Sequence, residues 1–115
     1  MSSSYTPTLT NVANLDASGA YLMHYIRLGN TVIVSGRVDV NPDLAAGTFT
    51  QLGISLPIAS NLAAATDLNG TAGAFTINES GAVLGDAANN RAELQFASQS
   101  TSTHGMLVWF MYDII

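Results

Sequence analysis

Hydrophobic and polar positions alternate with a period of two along most of the chain, most clearly on either side of Gly29-Asn30. A glycine in the first position of a two-residue loop suits a II′ turn, so Tyr21 to Val40 is expected to fold as a β-hairpin. The turn sets the pairing: Arg27 should face Val32, Tyr25 Val34, Met23 Gly36 and Tyr21 Val38. One face then carries Tyr, Met and Tyr over Val, Val, Gly and Val, which is a core face. The other carries Leu22, His24, Ile26 and Leu28 against Arg37, Ser35, Ile33 and Thr31, and is too apolar to belong wholly to water.

Turn residues interrupt the remaining β-prone runs at the spacing of an all-β sandwich or barrel. About eight strands are expected, near residues 5–13, 20–28, 31–40, 48–56, 67–76, 81–86, 90–98 and 104–114. Pro42-Asp43 separates the third from the fourth, Pro57 follows the fourth, and Ser80-Gly81 and Asn89-Asn90 mark further turns. Ala92, Leu94 and Phe96 alternate with Arg91, Glu93 and Gln95, the mark of a half-buried strand. Ser60 to Thr66 has room for one helical turn and no more. The expected core comprises Tyr25, Val32, Val34, Val38, Leu52, Ile54, Leu94, Phe96 and Phe110.

The final strand is apolar on both faces. Met106, Val108, Phe110, Tyr112 and Ile114 lie on one side; Leu107, Trp109, Met111 and Ile115 lie on the other, with Asp113. A strand of this kind is expected to be covered on both sides. No amphipathic helix is available to cover it, so a neighbouring subunit is the simplest supplier. Leu22, Ile26, Ile33, Leu107, Trp109 and Met111 are the residues expected at a subunit interface.

Composition sharpens this expectation. The 115 residues, 1–115, make one domain, and such a domain buries roughly two thirds of its unfolded surface. Charged residues are 10% of the chain, against a usual ~25%. Mean hydropathy is +0.29, yet no apolar run reaches the ~18 residues that span a bilayer. So little charge on a chain without a membrane span points to surface hidden in an oligomer. Three arginines, no lysine and a net charge of −5 cannot neutralise a phosphate backbone, so no nucleic-acid partner is expected, and no anionic membrane surface. There is no cysteine, hence no disulfide and no thiol chemistry. The N-terminal MSSSYTPT lacks the basic and apolar regions of a signal peptide.

The search for chemistry returns little. His24 and His104 are the only histidines; the first reads as a packed or interfacial side chain and the second as a loop cap. No Gly-x-Ser-x-Gly elbow accompanies the many serines, and two isolated histidines do not make a zinc site. Asp39 and Asn41-Pro42-Asp43 offer oxygens of the kind calcium takes, though turns favour Asp and Asn for their own reasons. Gly70-Thr71-Ala72-Gly73 follows no strand-to-helix transition, so its glycines mark a close backbone approach rather than a phosphate loop. Phe49, between two threonines, is the aromatic expected to leave the core face. Neither an enzyme nor a cofactor-binding protein is expected.

Several short patterns resemble small β-sandwich modules of tailed-bacteriophage virion proteins. They are Tyr25-x-Arg27-x-Gly29-Asn30-x-Val32, then Val34-Ser35-Gly36-x-Val38, Leu56-Pro57, and the Asn78 to Ala82 segment. The closing Phe110-Met111-Tyr112-Asp113-Ile114 completes the set. The resemblance implies a single antiparallel β-sandwich of jelly-roll character, a homotrimer, and a structural role at the virion surface. It transfers no functional residues. Strand signals begin within a few residues of Met1, with no shaft before them; if 1–115 is the whole gene product, that favours a capsid decoration (cement) protein bound to a capsid or other virion protein. The alternative is a tail-fibre tip that recognises a host glycan.

Overall fold

In the computed structural model, which describes residues 2–115, ten strands and one 3-10 turn account for the regular structure. The strands are β1 (Ser2–Tyr5), β2 (Leu9–Ala13), β3 (Leu15–Ala20), β4 (Met23–Leu28) and β5 (Thr31–Pro42). They continue with β6 (Thr48–Ile54), β7 (Leu68–Ala74), β8 (Ser80–Asp86), β9 (Arg91–Ser98) and β10 (His104–Asp113). The 3-10 turn, Ala65–Asp67, is all that forms of the helical turn expected over 60–66. All pairings are antiparallel, so the all-β expectation holds.

Hydrogen bonding joins the strands into one sheet in the order β1-β4-β5-β10-β7-β8-β9-β6-β2, with β3 paired to β5. The ladders therefore run continuously rather than dividing into two separate layers. The sheet curls until its two ends meet. Ser55, just after β6, bonds Thr8 through both backbone and side chain, and the Tyr5 hydroxyl donates to the Ser55 carbonyl at 2.8 Å. Curling places one face of nearly every strand inside. Val32, Val34, Val38 and Val40 of β5 are fully buried, as are Leu52, Ile54, Ala92, Leu94, Met106 and Phe110. Of the expected core, Tyr25 alone is half-buried, packed on the cluster's margin edge-on to Tyr5.

The central hairpin has the register expected from its turn. Arg27 pairs with Val32, Tyr25 with Val34, and Gly29 takes φ +62°. A Cβ added at Gly36 would lie 3.0 Å from the Met23 Cβ, as that register requires. The expectation fails at Tyr21. The chain leaves the ladder at Tyr21 and Leu22, and Ala20 takes the place opposite Val38. Tyr21 swings to the outside, where its hydroxyl donates to Asp39 at 2.7 Å.

Two further corrections concern strand count. The stretch expected as one strand over 5–13 is broken around Pro7, where the chain passes from one end of the sheet to the other. The stretch Leu15–Ala20 forms an additional strand, and a register shift at Asp16 marks its irregular start. Glycine is required where neighbouring strands approach most closely. Gly70 lies opposite Phe110 and Gly81 opposite Phe96. A Cβ at either would come within 2.7 Å of the facing phenylalanine's Cβ and nearer still to a backbone oxygen of the facing strand, so only glycine permits that approach.

A candidate interaction face on the outside of the sheet

The outward side chains of β4, β5 and β10 follow from the same period of two that buries their neighbours. Cross-strand register sets them in rows. Ser2, Ile26, Ile33, Met111 and Asn69 form one row. Ser4, His24, Ser35, Trp109 and Thr71 form the next, and Arg37, Leu107 and Gly73 a third. Leu22 sits at the edge of the third row, beside Arg37 and Leu107. All six residues singled out in the sequence are thus brought to one outer surface. Leu22, Ile26, Leu107 and Trp109 are 57%, 45%, 54% and 42% exposed, while Ile33 and Met111 are half-buried between their neighbours.

The face is not flat. A concavity of about 580 Å³ opens between Leu22, Arg37, Thr71, Leu107 and Trp109. A second, of about 430 Å³, lies over Ser2, Ser4, His24, Ile26 and Ile33, and both reach Ser35. Within the first, Leu107 and Trp109 of β10 are flanked by Arg37 and Ser35 of β5 and by Gly73 and Thr71 of β7.

One margin is organised around Arg37. Its guanidinium stacks over the rings of Tyr21, at 4.5 Å, and Phe75, at 5.0 Å, and pairs with Asp39 at 3.0 Å. The Asp39 carboxylate, accepting the Tyr21 hydroxyl, raises the Tyr21 pKa above its ordinary value. Gly105 lies beneath this group, since a Cβ there would come within 2.6 Å of the Phe75 ring and 2.9 Å of Arg37 Nε. Pairwise sequence reasoning missed this cluster because its members come from three separate segments. Placing Tyr21 inside the core hid the rest of the signal.

A second polar group is buried at the same end of the sheet, on the inner side. His104 Nε2 lies 2.6 Å from Glu79 Oε1, and its Nδ1 lies 2.7 Å from the Ser102 carbonyl. The other Glu79 oxygen accepts the Gln99 amide at 2.7 Å. A carbonyl only accepts, so Nδ1 donates to Ser102, and Nε2 faces the Glu79 carboxyl group. Both side chains are at most 5% exposed. His104 therefore does fasten a loop, but from inside the protein, and Glu79 is the partner the sequence did not reveal. Every acceptor in this group is taken up by fold-stabilising bonds.

The stretch weighed for calcium is tied into the fold through its backbone, and its Asp39 carboxylate pairs with Arg37. Pro42 is buried at the end of β5, and the Asp43 amide donates to the Asn14 carbonyl at 3.0 Å. Among the described residues, no three His, Cys, Asp or Glu side chains converge on a metal-sized space. Phe49 is 56% exposed on β6, outside the core as expected, and away from the β4–β5–β10 face.

Comparison of the chain with protein-family models, with curated proteins and with solved structures gives no match.

Proposed function

We propose that this protein is a structural subunit of a bacteriophage virion, a decoration (cement) protein of the capsid surface, which works by burying apolar sheet surface against protein. The observation that carries the reading is the outer face of β4, β5 and β10, where Ile26, Ile33, Leu107, Trp109 and Met111 stand together with Leu22 at their edge. Contiguous apolar patches rimmed by polar groups mark protein contacts. The residues that carry the resemblance to virion modules are consistent with it: Gly29-Asn30 turns the hairpin that presents half of the face, and the Phe110 to Ile114 motif closes the strand that presents the other half.

A second reading, a fibre tip gripping a host glycan, is favoured by one observation. Trp109 lies between Ser35 and Thr71 beside an open concavity, with a ring for stacking and hydroxyls for hydrogen bonding. One experiment separates the two. Purified protein is mixed with phage heads lacking their surface proteins, and separately with immobilised bacterial surface polysaccharide. Co-sedimentation with heads at a fixed ratio to the major capsid protein, without retention on polysaccharide, is the expected result. Retention on polysaccharide without head binding would replace the decoration reading with the fibre-tip one.

A further inference from the structure

We infer that attachment through the β4–β5–β10 face is controlled by protonation of His24: the face holds its protein partner while that imidazole is neutral and releases it when the ring takes up a proton. This rests on the protein-contact reading above and concerns its regulation. Position is the first argument. Alternation along β4 turns His24 outward, between Leu22 and Ile26. Cross-strand register sets it beside Ser4 of β1 and Ser35 of β5, with Trp109 next in the same row. A partner that covers Leu22, Ile26 and Trp109 covers His24 with them. In the isolated chain the ring is exposed, so water solvates either form.

Charge is the second argument. The concavity of about 430 Å³ that His24 lines is otherwise made of serines, isoleucines and Tyr25. Among the described residues, none but His24 can place a positive charge there, and no carboxylate lines it. Tyr25 packs edge-on to Tyr5. In the rows that cross the face from β1 to β7, the one other charged side chain is Arg37, which Asp39 holds at 3.0 Å. Asp39 also accepts the Tyr21 hydroxyl, and Asp113, beyond the opposite end of the rows, accepts the Thr31 hydroxyl at 2.8 Å. A proton on His24 therefore finds no counter-charge in its own chain. Covered by an apolar partner, the imidazolium becomes a buried, unpaired charge, which is costly. Histidine is the side chain whose charge ordinarily changes between pH 5 and 8. The other histidine, His104, is buried against Glu79 on the inner side of the sheet.

The test is co-sedimentation of the full chain, and of His24→Gln, with phage heads lacking their surface proteins, from pH 8 down to pH 5 at constant ionic strength. Binding that excludes one proton weakens by at most about tenfold per pH unit on the acid side. Wild-type affinity is expected to approach that slope below the histidine range and to recover when pH is raised again. His24→Gln, which carries no titrating ring, is expected to lose the dependence. Wild-type binding that stays level from pH 8 to 5 would overturn the inference and leave the decoration reading standing. So would an equal acid loss in wild type and His24→Gln, which would place the titrating group elsewhere. Absence of head binding by the wild type at every pH would overturn the decoration reading, and the inference with it.

Discussion

Three tyrosines show how local surroundings divide one residue type into different tasks. The Tyr112 hydroxyl donates to the Ile58 carbonyl at 2.7 Å and accepts the Ile58 amide at 3.2 Å, fixing the segment after β6 to the last strand. Burial pushes its pKa up to about 12. Tyr5 fastens one end of the sheet to Ser55 and is raised further, mainly by burial, with the neighbouring Tyr112 adding to the shift. Tyr21, exposed, is raised by its bond to Asp39. In each case the folded value lies above the ~10 of an unfolded tyrosine. Folding thus favours the protonated form, and the stability it contributes is complete below about pH 10. Stability is expected to fall from about pH 10 upward, through about 12 for Tyr112. Thermal midpoints measured from pH 8 to 12 check this, with Tyr112→Phe flattening part of the alkaline loss; a midpoint unchanged across that range would contradict the burial of these hydroxyls. By alternation alone the sequence placed Tyr112 on the same side as Phe110, and both Tyr25 and Tyr21 on a core face that Tyr21 in fact leaves. It did not show which carbonyl or carboxylate each hydroxyl would meet, because those partners lie many residues away.

At the scale of elements, the β4–β5 hairpin is the best-determined part of the chain. Gly29 adopts φ +62° with open space around its Cα, so a side chain there meets no clash and the cost is conformational alone. Gly29→Val is expected to destabilise the fold by about 1–3 kcal/mol, since a β-branched residue strongly disfavours positive φ. Chemical denaturation measures it, and an unchanged midpoint would mean the turn tolerates another geometry. The hairpin was legible because turn chemistry and alternation agree within twenty residues. β3 was not. Its Leu-Asp-Ala-Ser-Gly-Ala holds no β-branched or aromatic residue, and it begins beside Asn14 in a left-handed conformation, φ 57°. It is a strand because the second half of β5 offers an unpaired edge, and backbone groups there must find partners. The break around Pro7 was missed for a related reason: the two halves of the expected strand are each β-prone, and only the closing of the sheet sends them to different neighbours.

For the whole molecule, the core depends on every strand around the curl. Phe96 of β9 is 3% exposed and faces Gly81 of β8. Phe96→Ala is expected to cost roughly 3–5 kcal/mol, because a space the size of a ring cannot be refilled by a strand whose register is held on both sides. A loss below about 1 kcal/mol would show that β8 and β9 collapse into the space. The same closure explains why the outer apolar stripe exists. Side chains that alternate with a fully buried row must point away from it, and on β10 those positions are Leu107, Trp109 and Met111.

Local chemistry in the chain was enough to establish the all-β class, most strand positions, the central register, the inward residues of β5, β6, β9 and β10 and the two-sided character of the last strand. Each follows from a period of two and from turn residues acting over a few positions. The tertiary structure alone decided that the strands join in one curled sheet, that Tyr21 leaves the core for Arg37 and Asp39, and that His104 buries against Glu79. It also decided that the apolar positions of two distant segments become neighbours on one surface. These are outcomes of which strands pair. Pairing between distant segments is selected by the total burial and hydrogen bonding of the closed sheet, a sum over the whole chain that no single stretch of it contains.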